Sequence, residues 1–364
     1  MKVSPRKGVL SITPYVAGKP IEETKREFGL KEVFKLASNE NPLGPSPKAV
    51  AAVRKALSGI NRYPDSQGFC LKKSLAEFWG LKPENFVLGN GSDELIELVI
   101  RTFTEADENI VTSEGTFLEY SIIAQTNERR IKKAPLREFK YDLDAMLELV
   151  DPKTKLVFIA NPNNPTGTYL NKNQIARFIS LLPEGVITVL DEAYDAFIDV
   201  EDYPESLATL KDNVIVLKTF SKAYGLAGLR LGYAVSSGET VSYLERVRQP
   251  FNVNLLAQEA GAAALKDKGF LRKTRKVILE GKNFLYRGLS ETGIKYVRSV
   301  TNFILIDTGF NGKAVFESCL KCGVIVREME AYGMRNFIRL TVGNKKENRI
   351  FLKVFKKILK EMRK

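Results

Sequence analysis

The sequence predicts an α/β protein: a large domain on a mainly parallel sheet flanked by helices, a smaller α+β domain at the C-terminal end, and an N-terminal arm. Three observations carry this. Between about residues 85 and 235, short β-branched apolar runs alternate with amphipathic stretches. Those runs look buried on both faces, as strands of a mainly parallel sheet are. After Pro250 the pattern changes to long basic amphipathic helices with two further strand candidates.

Taken in order, residues 1–35 mix Pro, Gly and charge and read as an arm, with a short helix near Ile21 to Phe28. Residues 36–250 form the large domain, with strands expected at Asn85 to Leu88, Asn109 to Thr112, Leu156 to Ala160, Val186 to Leu190, Val214 to Leu217 and Leu231 to Val235. Residues 251–364 form the small domain. Its helices are expected at Leu255 to Leu265 and Lys268 to Leu289, and its strands at Asn302 to Asp307 and Phe337 to Thr341. A last helix, Glu347 to Arg363, draws an apolar face from Ile350, Leu352, Val354, Phe355 and Ile358.

Composition narrows the chemistry. With 364 residues, 44% hydrophobic and 27% charged, the chain has the balance of an ordinary globular protein. Its longest apolar runs are strand-length, far short of the ~20 residues a bilayer span needs, so no membrane role is expected. Pro5, Gly8, Thr13 and Pro14 interrupt the basic N-terminus, which leaves no apolar stretch of signal-peptide type. A cytoplasmic location follows as the expectation. Three cysteines are too few for a disulfide framework. Cys319 and Cys322 lack any second pair or histidine to complete a metal site, and read as structural residues on a helix. The chain has no histidine at all, which removes Ser-His-Asp and Cys-His catalysis. The net charge of +13 is spread along the chain among acidic residues, so no nucleic-acid function is expected.

Four segments carry chemistry. Thr219-Phe-Ser-Lys-Ala-Tyr-Gly-Leu-Ala-Gly-Leu-Arg230 follows a buried strand, at the end where open α/β sheets bind ligands. Lys222 there can condense with an aldehyde, while Thr219, Ser221 and Arg230 hold a phosphate. Asp191, at the end of the run from Val186, is costly to bury unless it meets a cation. The pyridinium nitrogen of pyridoxal phosphate is such a cation, and an ionised carboxylate beside it keeps the ring protonated as an electron sink. Capping of a following helix is the structural alternative for Asp191. Tyr194 can donate to the phenolic oxygen of that cofactor. In Asn161-Pro-Asn-Asn-Pro-Thr-Gly167, prolines and a glycine fix a tight loop from which Asn164 can bond a ring oxygen. In Gly89-Asn-Gly-Ser-Asp-Glu94, the free amides of Gly91, Ser92 and Asp93 at a helix start form an anion site. No Gly-Lys-Ser/Thr follows, so this is not a P-loop.

In this order, those segments resemble the fold-type I aminotransferases of the aspartate aminotransferase superfamily, over nearly the whole chain. Three further stretches resemble the histidinol-phosphate aminotransferase family: Pro14-Tyr-Val-Ala-Gly-Lys-Pro20, Leu36-Ala-Ser-Asn-Glu-Asn-Pro-Leu-Gly44, and Gly323-Val-Ile-Val-Arg327 through to Gly343. The resemblance implies that Arg339 clamps the substrate α-carboxylate, a task suited to a planar bidentate donor, and that Arg327 meets a distal phosphate. It implies a homodimer with shared active sites, Tyr63 reaching the neighbour's cofactor phosphate and Tyr15 the neighbour's substrate. Phe117 matches the aromatic that stacks on the pyridine ring. The family's usual proline before the threonine of that motif is Gly115 here, which is expected to loosen the loop.

The resemblance further implies reversible amino transfer between glutamate and imidazole acetol phosphate, giving histidinol phosphate and 2-oxoglutarate in histidine biosynthesis. Lys222 serves as both tether and base, with ping-pong kinetics. The alternatives are an aromatic amino-acid aminotransferase, which would use Arg339 without a phosphate at Arg327, a threonine-phosphate decarboxylase, and a catalytically silent pyridoxal-phosphate-binding regulator.

Overall fold

A computed structural model describes residues 3–10, 12–14, 18–208 and 211–364. Seven strands form the large sheet: β1 (Phe86–Gly89), β2 (Asn109–Ser113), β3 (Arg130–Ala134), β4 (Thr154–Ala160), β5 (Ile187–Asp191), β6 (Val214–Thr219) and β7 (Gly232–Val235). Their spatial order is β1-β7-β6-β5-β4-β2-β3. β7 runs antiparallel to both neighbours, and the other pairs are parallel. All residues of β1, β2, β5 and β7 are buried, as strands covered on both faces are.

This topology decides where the site lies. β1, β2, β4, β5 and β6 point the same way, so Gly89, Ser113, Ala160, Asp191 and Thr219 end at one edge of the sheet. β7 begins at that edge, which brings Arg230 to it. Every chemistry-bearing segment of the first 235 residues therefore leaves from one rim.

A second, antiparallel sheet has four strands: β8 (Lys295–Tyr296), β9 (Phe303–Asp307), β10 (Arg327–Glu328) and β11 (Phe337–Thr341), in the order β8-β9-β11-β10. Its hydrophobic cluster takes Phe351, Phe355 and Ile358 from the last helix, Lys345–Met362. That helix begins two residues before the expected start because Asn344 and Glu347 form a reciprocal cap. The cluster behind the large sheet runs on past Pro250, since Val253, Ala257, Ala260 and Ala264 belong to it. Helix Leu255–Leu265 packs there against helices Pro47–Ala56 and Phe69–Trp79.

In the small sheet, β8 and β10, of two residues each, were not expected, and in the large sheet two strands depart from expectation. β3 was not foreseen: its sequence Arg-Ile-Lys-Lys-Ala has no apolar run, because it is the sheet's edge, where lysines guard against pairing with another chain. β6 runs two residues beyond Leu217 and buries Lys218, which is paid for by ion pairs to Glu192 and Asp195. Cys319 is buried within helix Gly312–Lys321, and Cys322 sits exposed just past its end. No helix among the described residues is long and apolar enough to cross a membrane.

Candidate active site

A cavity opens at the common rim of the large sheet, with the small sheet as its other wall. Of the residues expected from sequence, Ser92, Asp93, Phe117, Asn164, Asp191, Tyr194, Thr219, Ser221, Lys222, Arg230, Arg327 and Arg339 all line it. Gly91 lies directly behind, at φ 84°, where a Cβ would stand 2.4 Å from Arg230 Nη2. Only glycine lets the arginine come that close in that backbone conformation. Tyr63 does not line this cavity: it is 82% exposed and stacks on Phe251 at 4.7 Å. Tyr15 lies outside the described residues.

Lys222 Nζ donates to the Ser38 carbonyl at 3.0 Å. Burial and then the nearby Arg339 guanidinium push its pKa down to about 8. An amine so placed is in part neutral near pH 7, and only the neutral amine attacks an aldehyde. At pH 7 about a tenth of it is unprotonated, against about 0.03% for an ordinary lysine. Covalent capture of pyridoxal phosphate by the unloaded protein should therefore speed up with pH and level off near pH 8. Stopped-flow absorbance checks this, and a rate still climbing with pH up to 10 would contradict it.

Asp191 ends β5 between Ala160 of β4 and Leu217 of β6. Burial raises its pKa to about 6, opposed by hydrogen bonds from Tyr120 Oη at 2.7 Å and the Ala193 N–H at 3.1 Å. It caps no helix of the standard kind; its oxygens face inward. Tyr120 was not foreseen. It is fully buried, stacked on Phe158, and meets Phe117 edge-on at 5.6 Å. The one sequence signal was its position three residues after Phe117.

Gly115 corrects an expectation. Its φ of 54° is closed to proline, and a Cβ there would lie 2.7 Å from Leu136 Cδ1, so glycine permits a close approach rather than loosening the loop. Phe117 still reaches the cavity.

On the anion side, Arg230 Nη2 pairs with Asp93 Oδ2 at 2.9 Å beside the first turn of helix Ser92–Phe103. Thr219 Oγ1 accepts from the Ser221 N–H at 3.1 Å. On the opposite wall, Arg339 bonds Asn164 Oδ1 and the Ala37 carbonyl, while its buried Nε has no partner among the described residues. An unmatched buried donor costs about 1–3 kcal/mol. Arg327 stands opposite Arg339 in the β10–β11 register, so both guanidiniums share one face. Neighbouring cations of this kind suit a dianionic ligand, either a phosphate or a dicarboxylate. The residues thus fit pyridoxal phosphate: an amine for its aldehyde, a carboxylate for its ring nitrogen, a hydroxyl and helix-start set for its phosphate.

Fold and site define the class of protein. A family model described as aminotransferase class I and II matches residues 31–355, and the chain belongs to that family of enzymes. More particularly, it is 47% identical over 357 residues to a histidinol-phosphate aminotransferase of Moorella thermoacetica, covering 97% of this chain and 92% of the relative. It is 47% identical to one from Anaeromyxobacter sp., covering 96% and 98%. The crystal structure of the histidinol-phosphate aminotransferase from Sinorhizobium meliloti in complex with pyridoxal-5'-phosphate superposes with a TM-score of 0.92 at 28% identity, covering 100% of this chain and 99% of that one. A Thermus thermophilus aspartate aminotransferase double mutant shares the fold, with a TM-score of 0.86 at 21% identity.

Proposed function

We propose that this chain uses pyridoxal phosphate to move an amino group reversibly between glutamate and imidazole acetol phosphate, yielding histidinol phosphate and 2-oxoglutarate, a step of histidine biosynthesis. The observation that carries the substrate is the Arg327–Arg339 pair on one face of the second sheet, together with the relatives' shared activity.

The cofactor supplies a cationic ring conjugated to the amino-acid α-carbon, which takes up the charge left when the α-proton departs. This chain's residues do the rest. Lys222 would hold the cofactor through its aldehyde and, as a free amine, would serve as the base that accepts the substrate α-proton. Asp191 holds the proton on the ring nitrogen. Tyr194 would donate to the phenolic oxygen, and Asn164, which lines the same cavity, would bond a ring oxygen. Thr219, Ser221, Arg230 and the amides of Gly91, Ser92 and Asp93 hold the phosphate. Phe117 stacks on the ring. Arg339 would orient the α-carboxylate where the substrate carries one, and Arg327 would meet the phosphate of histidinol phosphate, one carbon from the amine-bearing carbon, or the second carboxylate of glutamate.

Replacing Arg327 with alanine should raise KM for histidinol phosphate about tenfold to a hundredfold, the loss of a charge-assisted hydrogen bond, with little change for phenylalanine. Equal losses for both substrates would assign Arg327 another task. The overall reaction is tested by supplying glutamate and imidazole acetol phosphate and assaying 2-oxoglutarate; no product overturns the reading.

The reading includes a homodimer with shared sites, supported by the exposed apolar residues Leu57, Ile60, Tyr63 and Phe69 of one short stretch and by Phe251 against Tyr63. Tyr63 and Tyr15 would serve the neighbouring subunit's site. The division into an arm to 35, a cofactor-binding domain to 250 and a C-terminal domain belongs to the same reading. So does a cytoplasmic location, which suits the exposed free thiols of Cys70 and Cys322.

A further inference from the structure

Asn39 lies in the cavity wall, 1% exposed, with its backbone in the left-handed region at φ 56°. Asparagine tolerates that conformation better than most residues. Its hydrogen bonds run in one direction. The Asn39 N–H donates to Thr341 Oγ1 at 2.9 Å, and the Thr341 hydroxyl donates to Asn39 Oδ1 at 3.1 Å. The Asn39 side-chain Nδ2 then donates to Tyr194 Oη at 2.8 Å, while Asn302 Nδ2 donates to the Asn39 carbonyl at 2.9 Å.

Counting protons fixes the polarity. A backbone N–H can only donate, so Thr341 Oγ1 accepts there and has one proton left to give. That proton goes to Oδ1, which turns the carboxamide so that Nδ2 faces Tyr194. The flipped carboxamide would leave a buried hydroxyl proton without its acceptor, a cost of about 1–3 kcal/mol. Tyr194 Oη therefore accepts from Asn39, and its own proton is directed away from Asn39. Tyr194 lines the same cavity.

We propose that Asn39 is a positioning residue for amino transfer: by donating to Tyr194 Oη it commits the Tyr194 proton to the cofactor's phenolic oxygen. This rests on the functional reading above. The device is anchored to the substrate wall. Thr341 stands two places after Arg339 on β11, so the two side chains share a face of that strand. The strand that clamps the substrate carboxylate thus also sets the hydroxyl that faces the cofactor.

Asn39→Asp is nearly isosteric but reverses the polarity, because a carboxylate only accepts. Tyr194 then donates to residue 39 and is lost to the phenolic oxygen. Among the described residues, the charged or titratable groups facing Tyr194 include Arg339, Asp191, Tyr332 and Tyr120, and none of them changes in this variant. A hydrogen bond to an anionic oxygen favours the deprotonated state, so its loss should raise the pH midpoint of the bound cofactor's visible absorbance, by about one unit. Tyr194→Phe should raise it similarly. In the Tyr194→Phe background, Asn39→Asp should add almost nothing, since Asn39 acts only through that hydroxyl. A full additional shift in that background would make the effect one of charge alone and overturn the proposal, as would an unshifted midpoint in Asn39→Asp. If the aspartate variant does not fold, Asn39→Gly keeps the left-handed backbone; its midpoint should also rise, and only while Tyr194 is present, and an unmoved midpoint would overturn the proposal. A native protein that binds no pyridoxal phosphate would overturn the functional reading and this inference with it, whereas a native protein that titrates beside unshifted variants overturns this inference alone.

Discussion

Lys222→Ala should lower kcat for amino transfer by at least about a thousandfold, within the range that a positioned general base contributes, and should abolish any borohydride-trapped link between protein and cofactor. The physical reason is that one nitrogen performs two tasks. Lys222 stands just past β6, held by the Ser38 carbonyl, with burial and Arg339 pressing its pKa down to about 8. No histidine exists to replace it as a base. The nearest other lysine in sequence, Lys218, is buried in ion pairs with Glu192 and Asp195 that hold its pKa above the ordinary lysine value despite burial. Peptide mapping after reduction, with rates from stopped-flow absorbance, measures both losses. An unchanged adduct in Lys222→Ala would move the attachment elsewhere. Added methylamine should restore part of the rate by supplying a free amine to the same space.

The second large effect is expected at Asp191. Asp191→Asn keeps the shape and the Ala193 bond, whose N–H holds the amide oxygen, turns the Tyr120 bond round so that Nδ2 donates to Tyr120 Oη, and removes the carboxylate charge. Removing one partner of a buried charge pair costs about 2–5 kcal/mol, or roughly 30-fold to several thousandfold in kcat. KM should change far less, because the ring proton that Asp191 keeps in place matters most once the ring takes up the charge left by the α-proton. The pH dependence has a definite sign. Burial raises the Asp191 pKa to about 6 in the unloaded protein, so the carboxylate is lost as pH falls through that value. Because the folded pKa lies above the unfolded one, the folded state binds more protons between about pH 4 and 6, and Asp191 alone makes the unloaded protein less stable as pH rises through that window. Asp191→Asn should flatten this part of the stability profile, which thermal melts across pH 4–7 measure. An unaltered kcat in Asp191→Asn would remove the carboxylate from the chemistry.

Much of the sheet was legible because burial on both faces leaves its own mark. Residues 156–160 of β4, 189–190 of β5 and 214–217 of β6 are apolar without alternation, and each gives way to polar residues at one rim. The site was legible for the same reason: Asp191, Lys222 and the loop to Gly167 each follow such a run directly. β3 escaped because an edge strand carries charge where inner strands carry apolar residues. Lys218 hid the end of β6, because its partners Glu192 and Asp195 lie 26 and 23 residues away. Tyr120 and Asn39 were unreadable on similar grounds. Each acts through a single contact with a residue 71 or 155 positions distant, and no local pattern announces such a pairing. Arg327 and Arg339 could be named only by resemblance; that they stand directly opposite one another is a fact of register.

The central claim is pyridoxal-phosphate amino transfer with a preference for a phosphorylated imidazole substrate. Its most direct test is the single half-reaction on purified, cofactor-loaded protein, following loss of the visible absorbance with histidinol phosphate, phenylalanine and threonine phosphate in parallel. The account predicts by far the highest efficiency with histidinol phosphate. A cofactor converted far more efficiently by phenylalanine, or release of carbon dioxide from threonine phosphate, would contradict it.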